Sequence, residues 1–178
     1  MDICNLKCSH CYLETENFQN RQDGFLKFEF FLEMLERLEA CIKNAETVNF
    51  TSVEALMHPN IFEIMDSIIE INNDINIRIT TNGMLLNEKR VKKLTEYKNL
   101  RLNVSLDGYK KETVESIKTG VNYDKLIDGM KRLKKHGIDY HTSFVVTKEN
   151  INELKDYIPF CKELGVSVIR ANPLAAWK

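Results

Sequence analysis

The feature that most constrains the fold is a regular alternation of short apolar strands with amphipathic helices. Apolar residues recur at three and four positions over about residues 26 to 43, 87 to 98, 122 to 136 and 150 to 164, and a further stripe, Ile61 to Ile69, follows Pro59. Strand-like segments lie between them at 47 to 51, 75 to 80, 100 to 106, 139 to 146 and 166 to 171. Helical connections of this length join parallel strands, so the sequence predicts an α/β fold: an open sheet or an incomplete barrel.

Several of these strands carry polar residues on one face only. In the segment from residue 103 to 107, Asn103, Ser105 and Asp107 alternate with Val104 and Leu106. The same parity recurs in residues 76 to 80 and 141 to 143. Because successive strand residues point to opposite faces, helices are expected to cover the aliphatic face and the polar face to line a ligand-holding interior.

Composition narrows the classes of partner. The 178 residues include 25 basic and 26 acidic side chains, so no overall positive field exists to hold nucleic acid or an anionic membrane. No apolar run is long enough to span a membrane, and no signal peptide is evident. Three of the five cysteines lie within eight residues, which disfavours a disulfide framework and predicts a reducing, cytoplasmic location.

The stretch CNLKCSHCY, residues 4 to 12, holds the strongest candidate ligands. Three readings are open: a zinc site using Cys4, Cys8, His10 and Cys11, an iron-sulfur cluster held by the three thiolates, or chance. A zinc knuckle normally pairs two ligand clusters separated along the chain, whereas three thiolates on one loop suit a 4Fe-4S cube with one open iron. Polar residues also follow the predicted strands, where ligands of parallel α/β folds gather: Glu54, Thr81-Asn82-Gly83, Ser105 to Gly108, Thr147 and Asn172.

These motifs, taken in order, resemble the radical S-adenosylmethionine superfamily. CNLKCSHCY looks like its Cys-x-x-x-Cys-x-x-Cys signature, in the form found in the peptide-modifying and cofactor-modifying, SPASM-like subgroup. FTSVEALMHP resembles the stretch around its Gly-Gly-Glu-Pro motif, and ITTNG, VSLDG and FVVTKENINEL resemble later strand ends. The resemblance covers essentially the whole chain and implies a single core domain over 1–178, a partial (β/α)6 TIM-like barrel.

The resemblance also implies cofactors and site residues. Cys4, Cys8 and Cys11 would ligate a 4Fe-4S cluster, whose open iron binds S-adenosylmethionine; reductive cleavage would give a 5'-deoxyadenosyl radical that abstracts hydrogen from a substrate. Glu54 would accept from the cofactor's ammonium group. The remaining cofactor-binding candidates are Ser105 and Lys118 for the methionyl carboxylate, Tyr12 and the backbone of His10 near the adenine, and Ser52 in the Glu54 motif.

Plainer readings stand beside these. Lys118 would then be a solvated surface lysine, Asp107 would close a turn with Gly108, and His58 would cap the helix after Pro59. The basic run Lys131, Arg132, Lys134 and Lys135 is either a solvated helix face or a dock for an acidic electron donor.

Two departures from the family pattern are visible. Ser52-Val53-Glu54-Ala55 keeps the carboxylate of Gly-Gly-Glu-Pro but lacks both glycines, and the first strand is largely missing. The second departure predicts a poorly anchored cysteine loop and an unpaired strand edge open to self-association, and it is also what a fragment of a longer protein would show.

The expected function is therefore that of a radical S-adenosylmethionine enzyme. It would act on a peptide or a small cofactor precursor and take electrons from a donor such as ferredoxin or flavodoxin. The second hypothesis is a non-catalytic iron-sulfur or zinc-binding module.

Overall fold

A parallel sheet organises the chain. The computed structural model describes residues 3–11, 24–51 and 53–174. The strands are β1 (Lys7–Cys8), β2 (Thr47–Phe50), β3 (Asn76–Thr81), β4 (Leu100–Ser105), β5 (Lys118–Thr119), β6 (Tyr140–Val146) and β7 (Val168–Pro173). Five of them form one sheet in the order β2-β3-β4-β6-β7, with every neighbouring pair parallel. The predicted parallel α/β class is therefore confirmed, and the short β1 and β5 pair antiparallel outside this sheet.

Helices connect the strands. They are α1 (Phe28–Arg37), α2 (Glu39–Asn44), α3 (Ile61–Ile71), α4 (Glu88–Leu94), α5 (Lys111–Ile117), α6 (Tyr123–Lys135) and α7 (Leu154–Leu164), with single 3₁₀ turns at Ala55–Met57 and Ile151–Glu153. Asn87 and Asn122 cap α4 and α6 by accepting from the backbone N–H three residues on. Within the described residues, no helix combines the length and the apolarity needed to cross a membrane.

The two faces of the sheet differ as the strand pattern predicts. Ile77 and Ile79 of β3 and Leu102 and Val104 of β4 are at most 1% exposed and belong to one apolar core with the helices. Their alternating neighbours on the opposite face, among them Asn103, are polar and half-buried or exposed. The predicted one-sided polarity of these strands is thus confirmed.

Helix boundaries are where the sequence pattern fails most. The helix expected over residues 26 to 43 is two helices, because the last turn of α1 tightens at Leu38, whose N–H bonds the carbonyls of both Met34 and Leu35. The helix expected over 87 to 98 ends at Leu94, and the Tyr97 hydroxyl instead donates to Asp66 of α3. The pattern also misses α5 and β5, which have too few residues to show a period.

Gly83 turns the chain sharply after β3. Its φ is +80°, a conformation that side-chain-bearing residues avoid. A Cβ atom there would collide with Leu126 Cδ1 of α6 and lie 3.3 Å from Val104 Cγ1. The glycine therefore lets α6 pack directly against the carboxyl end of β3.

Candidate functional site

The cysteine loop is attached to the body of the protein by β5. Lys7 and Cys8 of β1 pair with Thr119 and Lys118, and the Ser9 N–H donates to the Ile117 carbonyl at 2.8 Å. Leu6, 6% exposed, joins the hydrophobic core. The expectation that this loop would be poorly anchored is therefore wrong, because a two-residue strand unseen in the sequence pattern holds it.

The three thiols lie on this loop in unlike surroundings. A tight turn, closed by the Cys11 N–H and the Cys8 carbonyl at 3.0 Å, separates two half-buried cysteines, while Cys4 is exposed. Burial raises the pKa of the Cys8 thiol to about 11, and the nearby Lys118 ammonium partly opposes this rise. Burial also raises the pKa of Cys4. A bound cation would be needed to deprotonate both thiols near neutral pH.

The donor set of the loop is three thiols, which suit a zinc ion or an iron-sulfur cluster. Across residues 3–11, 24–51 and 53–174, no three Cys, His, Asp or Glu side chains converge on one point. A zinc ion requires such convergence of its ligands, whereas a four-iron cube takes each thiolate on a different iron. Cys4, Cys8 and Cys11 stay the candidate ligands of a 4Fe-4S cluster, one thiolate on each of three irons.

Glu54 is a buried carboxylate fixed to the carboxyl end of β3. The residue is only 1% exposed. Its carboxylate accepts hydrogen bonds from the Asn82 N–H at 2.6 Å, the Thr81 hydroxyl at 2.8 Å and the Leu56 N–H at 3.3 Å. Burial raises its pKa, and these three donors act in the opposite direction. Oε2 accepts one of these bonds and Oε1 two, so one lone pair of Oε2 stays open for an additional donor.

Asn82 joins Glu54 to the cysteine loop, although the sequence marks it only as one member of a polar strand-end stretch. Its backbone binds Glu54, while its side-chain amide donates to Asn5 Oδ1 at 2.7 Å and lies 3.9 Å from Cys4 Sγ. One residue thus holds the carboxylate and the first cysteine in fixed relation. Its only sequence signal is its place in Thr81-Asn82-Gly83, where turn formation is the simpler explanation.

Lys118 is buried, contrary to the surface reading. It is 1% exposed, its ammonium donates to the Ser105 carbonyl at 2.6 Å, and it lies 3.1 Å from Asp107 Oδ2. Asp107 is also 1% exposed and accepts from the Val145 N–H at 2.7 Å through its other oxygen, rather than closing a turn with Gly108. One buried ion pair therefore connects the carboxyl ends of β4 and β6 with β5, the strand that pairs with Cys8.

His10 lies beside that pair. Its Nε2 is 3.8 Å from Asp107 Oδ2, and burial lowers its pKa despite the nearby carboxylate. Its Nδ1 is buried and has no hydrogen-bond partner in the described part of the chain. Tyr12 and Ser52, the other two candidates from the motifs, lie outside the described residues.

Ser105 lies on the polar face near the carboxyl edge of the sheet. Its hydroxyl accepts from Ser143 at 3.4 Å, and Ser143 accepts from Asn103 at 3.1 Å. His58, by contrast, is a structural residue: its Nδ1 accepts from the Asn60 N–H directly before α3, as the capping interpretation expects.

Two further buried polar residues brace the β4 and β6 ends. Glu153 accepts from the backbone N–H groups of Tyr109 and Lys110 at 3.0 and 3.3 Å. Asn150 donates to the carbonyls of Asp107 and Val145 at 2.9 and 2.8 Å. Both residues lie in the stretch FVVTKENINEL, but their spacing in the sequence does not indicate that their side chains are buried.

Comparison with known proteins gives a family and a fold. The family model described as the Radical SAM superfamily matches residues 1–161. A GTP 3',8-cyclase of Aliarcobacter butzleri is 27% identical over 167 residues, which are 93% of this chain and 50% of that protein. A probable GTP 3',8-cyclase of Sulfurisphaera tokodaii is 32% identical over 181 residues, 99% of this chain and 55% of that protein. The chain thus spans about half the length of these relatives.

Solved structures resemble the fold at lower identity. SuiB of Streptococcus suis bound to S-adenosylmethionine aligns with a TM-score of 0.80 at 23% identity, over 98% of this chain and 39% of that one. Native anSMEcpe with bound AdoMet aligns with a TM-score of 0.82 at 22% identity, over 98% of this chain and 49% of that one. At these identities the likeness establishes the shared fold.

Proposed function

The chain belongs to the Radical SAM superfamily, and from that premise we propose that it is the core domain of a radical S-adenosylmethionine enzyme. The family uses a 4Fe-4S cluster and S-adenosylmethionine. When bound, they supply a reductively generated 5'-deoxyadenosyl radical for hydrogen abstraction from a substrate. The observation that carries the proposal is the bridge made by Asn82, which holds Cys4 and the Glu54 carboxylate at one edge of the sheet.

We assign the cofactor contacts along that edge. Cys4, Cys8 and Cys11 hold the cluster. Glu54 uses the open lone pair of Oε2 to accept from the cofactor's ammonium group, a charge-assisted contact in a buried setting. Ser105 offers its hydroxyl to the methionyl carboxylate.

Lys118 supplies positive charge directly behind Ser105. Its ammonium has three N–H groups, of which one bonds the Ser105 carbonyl and one faces Asp107, so the third can meet a carboxylate. Tyr12 and the His10 backbone complete the proposed set toward the adenine, and Ser52 is the further candidate in the Glu54 motif.

The proposed substrate is a peptide or a small cofactor precursor, as in the SPASM-like subgroup. Two kinds of relative support this range: SuiB has been solved with a precursor peptide, and the curated relatives are named for cyclising GTP. We further propose a ferredoxin or flavodoxin as the electron donor, with the exposed basic face of α6 as its dock. The edge strand β2, which pairs with β3 alone within the described residues, is the proposed place for self-association.

Anaerobic reconstitution with iron and sulfide, followed by dithionite and S-adenosylmethionine, tests the proposal. A catalytic core releases 5'-deoxyadenosine, measured by liquid chromatography with mass detection. Asn82→Ala is the informative variant, since it should lower the rate while the cluster still loads. An intact cluster that yields no 5'-deoxyadenosine would refute the enzyme proposal.

A non-catalytic cluster-binding module is the second candidate. The Ser52-Val53-Glu54-Ala55 sequence favours it, because the two glycines that would let a backbone approach a ligand closely are replaced. In the reconstitution experiment this candidate predicts a loaded cluster with no product. Bound zinc without iron would contradict both iron-sulfur candidates and support the zinc-binding alternative.

A further inference from the structure

The polar face of the sheet carries a concentration of arginine that the cofactor site does not use. Arg78 of β3 and Arg101 of β4 are Cα partners, so their side chains leave the same face of adjacent strands. Arg170 of β7 is the partner of Ser143, which is itself the partner of Ser105. All three arginines therefore share the face that carries Ser105, and all three are exposed.

Carboxylates of the described residues do not neutralise these charges. In the described part of the chain, no Asp or Glu oxygen lies within 4.0 Å of a guanidinium nitrogen of Arg78, Arg101 or Arg170. Like charges directly opposite on neighbouring strands are destabilising, yet Arg78 and Arg101 are placed in that arrangement. The chain has 26 acidic and 25 basic residues, so a shortage of carboxylates does not explain this arrangement of two arginines.

His141 lies between the arginines of this face. It lies on the same face as the partner of Asn103, between the row of Arg78 and Arg101 and the row of Arg170. Burial lowers its pKa, and Arg170, Arg101 and Arg78 lower it further, with Asp139 as the opposing charge. Three cations and one anion thus act on a single imidazole.

A neutral acceptor lies within the same surface. The amide of Asn103 donates to Ser143, but its Oδ1 is buried and has no hydrogen-bond partner among the described residues. A buried acceptor without a partner is costly unless a ligand or water satisfies it. The face therefore offers guanidinium groups and one acceptor for a donor such as a hydroxyl or amine.

We propose that this face, which we call the arginine floor and define by Arg78, Arg101, Arg170, His141 and Asn103, binds the anionic end of the substrate. The ligand is an elongated small molecule carrying a phosphate or carboxylate group, because guanidinium forks bind both of these groups in a bidentate manner. This inference rests on the proposed function and narrows its substrate class toward a charged precursor.

The geometry sets the length of that molecule. Arg78 and Arg101 each lie four residues before Asn82 and Ser105, the residues at the carboxyl edge. At roughly 3.3 Å per strand residue, the anion site formed by Arg78 and Arg101 lies about 13 Å below the edge, whereas Arg170 lies in the row of Ser105. A substrate that meets the radical at the edge and the two arginines must span on the order of that distance.

Calorimetric titration of the full chain with tripolyphosphate tests the anion site without the cluster. The wild-type chain should bind at one site, and the double variant Arg78→Gln/Arg101→Gln should bind about tenfold more weakly or worse, since two charge-assisted contacts are lost. The matched control is Lys155→Gln/Lys162→Gln, which removes two exposed charges from α7 and should leave binding unchanged. Circular dichroism verifies that both variants fold.

A parallel titration with citrate separates the two sources of negative charge. Stronger binding of tripolyphosphate assigns the floor to phosphates, and stronger binding of citrate assigns it to carboxylates. No binding of either probe, or equal weakening in both double variants, would overturn the inference. Release of 5'-deoxyadenosine is scored separately, so loss of anion binding in an active core refutes only this inference.

Discussion

The carboxyl edge of the sheet and the arginine floor share the same strands, but they differ in whether their charged side chains are buried and paired. At the edge, Glu54, Asp107 and Lys118 are almost fully buried, and each has partners within the protein. On the floor, Arg78, Arg101 and Arg170 are exposed and lack carboxylate partners among the described residues. The difference fits the roles proposed above, a preorganised edge for a cofactor and a floor whose interactions a ligand would complete.

The largest effect is expected at the cysteine loop, where one thiol should decide metal loading. Cys8→Ala removes a proposed ligand, so iron content after anaerobic reconstitution should fall to background. Cys41→Ala, at an exposed cysteine of α2, is the control and should load normally. Equal iron content in the two variants would remove Cys8 from the ligand set and weaken the contrast between edge and floor.

The next largest effect concerns the buried ion pair of the edge. Lys118→Met leaves Asp107 buried without its cation, which should cost about 3–5 kcal/mol in free energy of unfolding. Lys111→Met breaks an exposed pair with Asp124 and should leave stability nearly unchanged. Urea denaturation of the chain without cofactors measures the stability of both variants. Similar midpoints would mean that the Lys118–Asp107 pair does not stabilise the fold.

Gly83 tests the packing that supports the edge. Gly83→Ala combines a strained backbone with a collision against Leu126, so it should destabilise the chain by about 1–3 kcal/mol beyond the backbone term alone. Gly137→Ala supplies that backbone term, since Gly137 also has positive φ, +68°, but has nothing within 4 Å of an added Cβ. Thermal unfolding of the two variants gives the difference, which should vanish if α6 can move aside.

The smallest effect has the opposite sign and belongs to the floor. Arg78→Gln relieves the like-charge pair with Arg101, so it should stabilise the free chain by about 0.2–1 kcal/mol. The gain should shrink as salt is added, because exposed charges are screened. A loss of stability at low salt would show that Arg78 makes structural contacts that the floor interpretation leaves out.

Much of the fold could be predicted because it depends on periodic patterns. The parallel arrangement follows from helical connections between the strands. Their one-sided polarity follows from alternation that is visible in segments such as residues 100 to 106. The boundaries at Leu38 and Leu94 could not be read, because local turn geometry and the distant contact of Tyr97 set them.

The candidate site divides in a similar way. The cysteines and Glu54 stand in recognisable motifs, but whether the proposed roles hold stays a prediction. The burial of Lys118 and the bridging by Asn82 depend on contacts between residues far apart in the chain, which no local pattern encodes. The two-residue β5 has no period to detect, so the sequence alone predicts a poorly anchored cysteine loop.

That anchor has a consequence for how the protein is made. Cys8 finds its strand partner only at Lys118, 110 residues later in the chain. At typical synthesis rates of ~5–20 residues per second, the thiols wait on the order of 10 s before the strand that holds them has left the ribosome. During that interval they are open to oxidation and to adventitious metals, so delivery of iron and sulfur to a nascent chain would have to outpace both.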